Sequence, residues 1–139
     1  MHQFATLYDR NRRVTRLVEE FEWTFIPALN VDGYIHSHES NRMWRKNRQP
    51  TSTTCYGIDP NRNWGYKWNH TGSSTNPCSE AYIGSEPFAA LEPRAISNYI
   101  LDRKHVVSFV DFHSFGQLCE YGNGFLGMRR RGNEVGNWT

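Results

Sequence analysis

No apolar run in this chain approaches the roughly 18 residues that a membrane-spanning helix needs. The opening Met1-His2-Gln3-Phe4 also lacks the basic-then-apolar pattern of a secretory signal, so no export address is expected in the chain as it stands. Neither charge sign dominates: 16 Lys and Arg against 14 Asp and Glu leave a formal charge of +2, too small to argue for a nucleic-acid or membrane partner. Internal repeats and low-complexity segments are absent. What the chain has instead is aromatic content of 14% beside 22% charged residues, which argues against disorder. A length of 139 residues fits one domain large enough to bury a core.

Cysteine is scarce, with three in all. Cys55 and Cys78 sit in Gly- and Ser-rich loop sequence where a bridge would be structural, a usage that belongs to an oxidising compartment. The alternative is two unpaired, buried thiols. A bridge would close a loop of 24 residues, worth about 3 kcal/mol on the chain-entropy estimate. Cys119 is left over and reads as a buried spectator. Asn69-His70-Thr71 and Asn137-Trp138-Thr139 are glycosylation acceptors if the chain is secreted.

Periodicity predicts two short helices between His2 and Phe21: Phe4, Leu7 and Tyr8 share one face, Asn11-Arg12-Arg13 interrupts, and Val14, Leu17, Val18 and Phe21 resume. Trp23-Thr24-Phe25-Ile26 is rich in residues that suit a strand, ended by Pro27, with a loop expected at Asn30 to Tyr34. Residues 36 to 86 carry little periodicity and most of the polar motifs, as one long functional excursion would. Glu92-Pro93 starts a helix continued by Ile96, Tyr99, Ile100 and Arg103. Val106 to Val110 then reads as a strand covered on both faces, as in a parallel sheet, with His113 at its carboxyl end, where ligands sit in open α/β sheets. Arg129 to Thr139 reads as a solvated, frayed tail.

Four polar blocks could carry chemistry: Asn41-Arg42-Met43-Trp44-Arg45-Lys46, Asp59-Pro60-Asn61-Arg62-Asn63-Trp64, Pro77-Cys78-Ser79-Glu80 and Asp111-Phe112-His113-Ser114-Phe115. An arginine grips a carboxylate by two parallel hydrogen bonds that lysine cannot match, so Arg62, helped by the Asn61 amide, is a candidate for binding a free carboxylate. The plainer alternative is a surface arginine in a turn begun by Asp59-Pro60. Arg45 could equally belong to a solvated basic stretch with Arg42, Lys46 and Arg48. A histidine at a strand end is more often a hydrogen-bonded core residue than a ligand. His36 and His38 alternate along what reads as an extended segment, and nothing nearby completes a metal site for them.

In this order the blocks resemble the zinc-dependent carboxypeptidases of the A/B type, over roughly Leu17 to Phe125. The resemblance implies part of an open, mixed, twisted α/β sheet with helices on both faces, truncated at both ends. It divides the chain into a partial catalytic domain over 1–125 and a divergent, disordered tail over 126–139. By the same resemblance, Asn61 and Arg62 hold the terminal carboxylate of a peptide substrate, and Arg45 stabilises the oxyanion at the scissile carbonyl. His113 matches the third zinc ligand, Ser114 and Phe115 line the substrate cleft, and Gly124 falls at the floor of the side-chain pocket.

The function implied is zinc-dependent removal of the C-terminal residue of peptides by a monomeric protein of the extracellular space or the vacuolar or secretory lumen. The His-x-x-Glu motif that supplies the family's other two ligands does not occur in the sequence, and the glutamate base and mobile tyrosine lie past the region of resemblance. The 139 residues alone are therefore expected to be an inactive internal piece. Trp23 to Tyr34 and Trp44 to Pro50 look close to a fungal branch with catalytically dead members. That gives the alternative of an inactive carboxypeptidase-like protein that binds peptide C-termini. Dead relatives tend to alter the Asn-Arg pair, and here it is intact.

Overall fold

The computed structural model describes residues 1–103, 106–113 and 118–121. Helix α1 covers His2–Leu7 and α2 covers Arg12–Glu20. The break between them is where the sequence places it, because the Asn11 side chain accepts hydrogen bonds from the Arg13 and Val14 N–H groups and restarts the helix. The two helices pack against each other. Phe4 of α1 meets the Trp23 ring edge-on with centroids 4.6 Å apart.

Trp23 to Ile26 forms no strand among the described residues. Its aromatic side chains gather on one another and on α1 instead, with Trp23 and Phe25 stacked at 6.2 Å. Strand preference expresses packing against neighbours, and among the described residues no ladder partner lies beside this segment. The loop expected at Asn30 to Tyr34 is also corrected. It opens helix α3, Val31–Glu39, capped by the Asn30 side chain accepting from the Gly33 N–H. His36 and His38 therefore lie on a helix, where residues two apart do not face each other, and not on an extended segment.

Residues 40–90 contain one short 3-10 turn, Pro60–Arg62, and are otherwise irregular. They are held by buried polar groups rather than by a sheet. Ile58, Tyr82 and Ala90 form the small apolar core, and Lys46, Asn47, Asp59 and Asn63 are buried beside it. A Cys55–Cys78 disulfide closes the excursion with Cα atoms 5.2 Å apart.

Helix α4, Leu91–Asp102, follows with Pro93 in its first turn. Strand β1 is Val110–His113 and pairs antiparallel with β2, Leu118–Tyr121, in the register His113↔Leu118. This differs from the parallel strand over Val106 to Val110. Only four residues separate the strands, whereas a parallel crossover needs about a dozen or more. Nor is β1 covered on both faces, since Phe112 is 76% exposed.

Candidate functional site

Arg45 lies in a loop that its neighbours fold tightly. The Trp44 indole N–H donates to the Lys46 and Asn47 carbonyls, at 2.5 and 3.2 Å. The Arg48 guanidinium sits over the Trp44 ring at 4.5 Å and over the Tyr56 ring at 5.0 Å. From the other side, Asn30 Nδ2 donates to the Arg45 and Lys46 carbonyls, at 3.2 and 3.1 Å. One asparagine thus caps α3 and fixes the main chain of Arg45. Gly33 is needed for this, because a Cβ there would meet the Asn30 side chain and the Lys46 carbonyl oxygen.

Lys46 does not belong to a solvated basic stretch. It is 2% exposed, and its Nζ donates to the Pro77 carbonyl at 2.8 Å. Burial pushes its pKa below the usual lysine value, opposed by the nearby Glu80 and Asp59 carboxylates. The contact ties the Arg45 loop to the residue beside Cys78, so the disulfide supports the site from a distance.

Asp59 joins the two halves of the candidate site. Its Oδ2 accepts from Arg45 Nε at 2.8 Å, and its Oδ1 accepts from the Asn61 N–H at 3.0 Å. Its own N–H donates to the Tyr82 carbonyl at 2.9 Å, and the Arg62 N–H donates to its carbonyl at 3.0 Å. The same carboxylate therefore caps the 3-10 turn that carries Asn61 and Arg62. In the ion pair the Asp59 side chain is 2% exposed while that of Arg45 is 46% exposed. The anion is fixed in the core and the cation reaches outward from it.

Arg62 has different partners. Nη1 donates to the Asn61 carbonyl at 3.1 Å and Nε to the Gly72 carbonyl at 3.4 Å. Both acceptors are neutral, and among the described residues no carboxylate pairs with it. Behind Arg62, Asn63 is fully buried. Its Nδ2 donates to the Ile83 and Glu86 carbonyls, at 2.5 and 2.8 Å, and its Oδ1 accepts from the Ala90 N–H at 2.7 Å.

His113 lies on a different element, as the last residue of β1, with Nε2 at 3.2 Å from Asp111 Oδ2. Among the described residues no three His, Cys, Asp or Glu side chains are placed to hold a metal ion. A catalytic zinc takes three protein ligands, and the His113–Asp111 pair offers two donors at most. The described residues do not fit a zinc site. Ser114, Phe115 and Gly124 lie outside the described residues.

Sequence reasoning brought Arg45, Asn61 and Arg62 forward, and the fold brings all three around Asp59. It missed Asp59 itself, together with Lys46 and Asn63. The sequence did carry a signal for Asp59: an aspartate directly before Pro-Asn, the pattern of a side chain bonding its own backbone two residues on.

A profile for zinc carboxypeptidases matches residues 1–126. Among curated proteins, the inactive metallocarboxypeptidase ECM14 of Arthroderma benhamiae is 42% identical over 126 residues, covering 86% of this chain and 21% of that protein. The chain thus spans about a fifth of the length of the curated relatives it matches. Among solved structures, thrombin activatable fibrinolysis inhibitor superposes with a TM-score of 0.75 and 33% identity, over 81% of this chain and 29% of that one. Carboxypeptidase A from Helicoverpa armigera gives 0.60 and 33%, over 81% of this chain and 30% of that one. A family match over nearly the whole length, with α/β carboxypeptidase structures as neighbours, leads to one conclusion: the chain belongs to the zinc carboxypeptidase family.

Proposed function

We propose that these residues form the carboxylate-recognition part of a carboxypeptidase-like domain, which as given binds peptide and protein C-termini without hydrolysing them. The observation that carries this is the state of Arg62, a guanidinium on a half-buried turn capped by the buried Asp59, whose described partners are two neutral carbonyls. Its full positive charge is available, and a carboxylate satisfies it best through two parallel, charge-assisted hydrogen bonds. Arg45, already paired with a buried carboxylate, suits the neutral carbonyl one residue back along the peptide. The inactive alternative has further support in the word "inactive" in the names of the relatives.

A second reading keeps hydrolysis for a longer protein. It is favoured by the intact Asn61-Arg62 pair and by family membership. There Arg45 would stand by the developing oxyanion, where losing one such donor costs about a hundred- to a thousandfold in rate. His113 would be one zinc ligand of three, and β1 would enter a mixed sheet covered by helices on both faces.

The Cys55–Cys78 bridge suits an extracellular or secretory-lumen setting, and a formal charge of +2 gives no support to nucleic-acid or membrane binding. Among the described residues no helix is long and apolar enough to cross a membrane. We take the working unit to be a monomer.

The test is an assay of the purified chain with an N-acylated dipeptide, with and without added zinc. Binding without turnover is expected. Turnover abolished by a chelator would replace the binding reading with the hydrolytic one.

A further inference from the structure

Resting on that reading, we propose that Asp59 is a positioning residue that sets the division of labour between the two arginines. One carboxylate holds Arg45 through Nε and, with its other oxygen, starts the turn that presents Asn61 and Arg62. It is buried, and its backbone is anchored to Tyr82 in the apolar core, so the Arg45 guanidinium and the main chain of the turn that carries Arg62 share one fixed anchor.

Two consequences follow from this geometry. Asp59 takes the Nε–H of Arg45, and the Arg45 side chain is 46% exposed, so terminal N–H donors remain for a further acceptor. Asp59 neutralises Arg45, while among the described residues no carboxylate pairs with Arg62, and this makes the pair unequal: one arginine attracts a carboxylate, and the other a dipole. A peptide C-terminus offers this combination, with a carboxylate at its end and a neutral carbonyl one residue back. Without Asp59 both guanidiniums would compete for the same carboxylate, and the register of the bound peptide would be lost.

The experiment is a double-mutant cycle on the full chain, read as binding of an N-acylated dipeptide acid relative to its C-terminal amide by isothermal titration. Asp59→Asn keeps an oxygen to cap the Asn61 N–H but removes the anion facing Arg45. In the wild-type background it is expected to lower the acid-over-amide preference by about tenfold, the scale of a hydrogen bond to a charged group. In an Arg45→Gln background the same change should cost less than about twofold, because the partner it positions is gone. A purely structural aspartate would cost the same in both backgrounds, and that result overturns the proposal while leaving carboxylate recognition intact. A wild-type chain that does not distinguish acid from amide overturns both.

Should Asp59→Asn fail to fold, Arg45→Lys decides. Lysine keeps the charge but cannot bond Asp59 and a peptide carbonyl through one rigid fork. A loss of about tenfold or more supports the proposal, and wild-type preference in Arg45→Lys refutes it.

Discussion

Replacing Asn63 by alanine removes the clamp behind the carboxylate-binding turn, and the cost can be worked group by group. The asparagine amide holds three backbone groups, the Ile83 carbonyl and the Ala90 N–H in buried bonds and the Glu86 carbonyl in a part-buried one, and the Ile83 carbonyl also accepts from the Trp68 indole N–H. Each buried polar group left without a partner costs about 1–3 kcal/mol, and water entering the vacated space recovers part of that. With the Ala90 N–H orphaned and two carbonyl bonds weakened, a net loss of about 2–4 kcal/mol is expected for Asn63→Ala, a large fraction of the stability of any domain of this size. Because Asn63 follows Arg62 directly, preference for a free C-terminal carboxylate should fall with it.

Asn63→Asp is the companion variant. It keeps the acceptor for Ala90 but turns a negative oxygen toward two carbonyls, so its folded-state pKa is raised above the unfolded value. The folded state then binds more protons, and the deficit relative to wild type should widen as pH rises from about 4 to 7. The assay is urea unfolding followed by tryptophan fluorescence, with the denaturant slope checked to be unchanged. A loss below about 1 kcal/mol for Asn63→Ala would refute the view that buried amides, not apolar area, hold this segment together.

Reducing the Cys55–Cys78 bridge with a dithiol should lower stability by about 3 kcal/mol and shift the urea midpoint accordingly; equal midpoints before and after reduction would contradict it. Lys46→Met tests the buried ammonium through pH. The folded-state pKa of Lys46 is lowered, so the unfolded chain binds the extra proton between that value and 10.5, and this group's contribution to stability rises as pH climbs through the window. The wild type should therefore gain on Lys46→Met as pH approaches 10.5, whereas a constant difference would show that the ammonium titrates normally.

The helical part of the fold was legible where the chain carries local signals. The interruption at Asn11 and the proline-started helix after Ala90 both declare themselves through caps and first-turn chemistry. Helix α3 carried the same kind of signal, Asn30 as cap with Asp32 in the first turn, but Gly33 made the stretch look like a turn. Gly33 is there for space, not for a reversal. The strands were harder to read. An apolar run from Val106 gives its residues no marked face, and where pairing starts is set by the β1–β2 register, which no local window contains.

At the site, the guanidiniums and amides were legible because their chemistry has few alternative uses. Their supports were not. Lys46 looks solvated beside Arg45 and Arg48, and its burial depends on distant segments such as Pro77, whose carbonyl returns across the excursion to accept from Nζ. Asp59 reads as a turn former because its second role, the ion pair, depends on a loop 14 residues away.

Carboxylate recognition at this site requires that Arg62 hold the carboxylate. Isothermal titration of the wild type and Arg62→Ala with a dipeptide acid and its amide measures this without reference to turnover. The wild type should prefer the acid, and Arg62→Ala should lose that preference while its amide affinity and unfolding free energy stay within about twofold and about 0.5 kcal/mol of wild type. An Arg62→Ala chain that still prefers the acid as strongly as the wild type would contradict it.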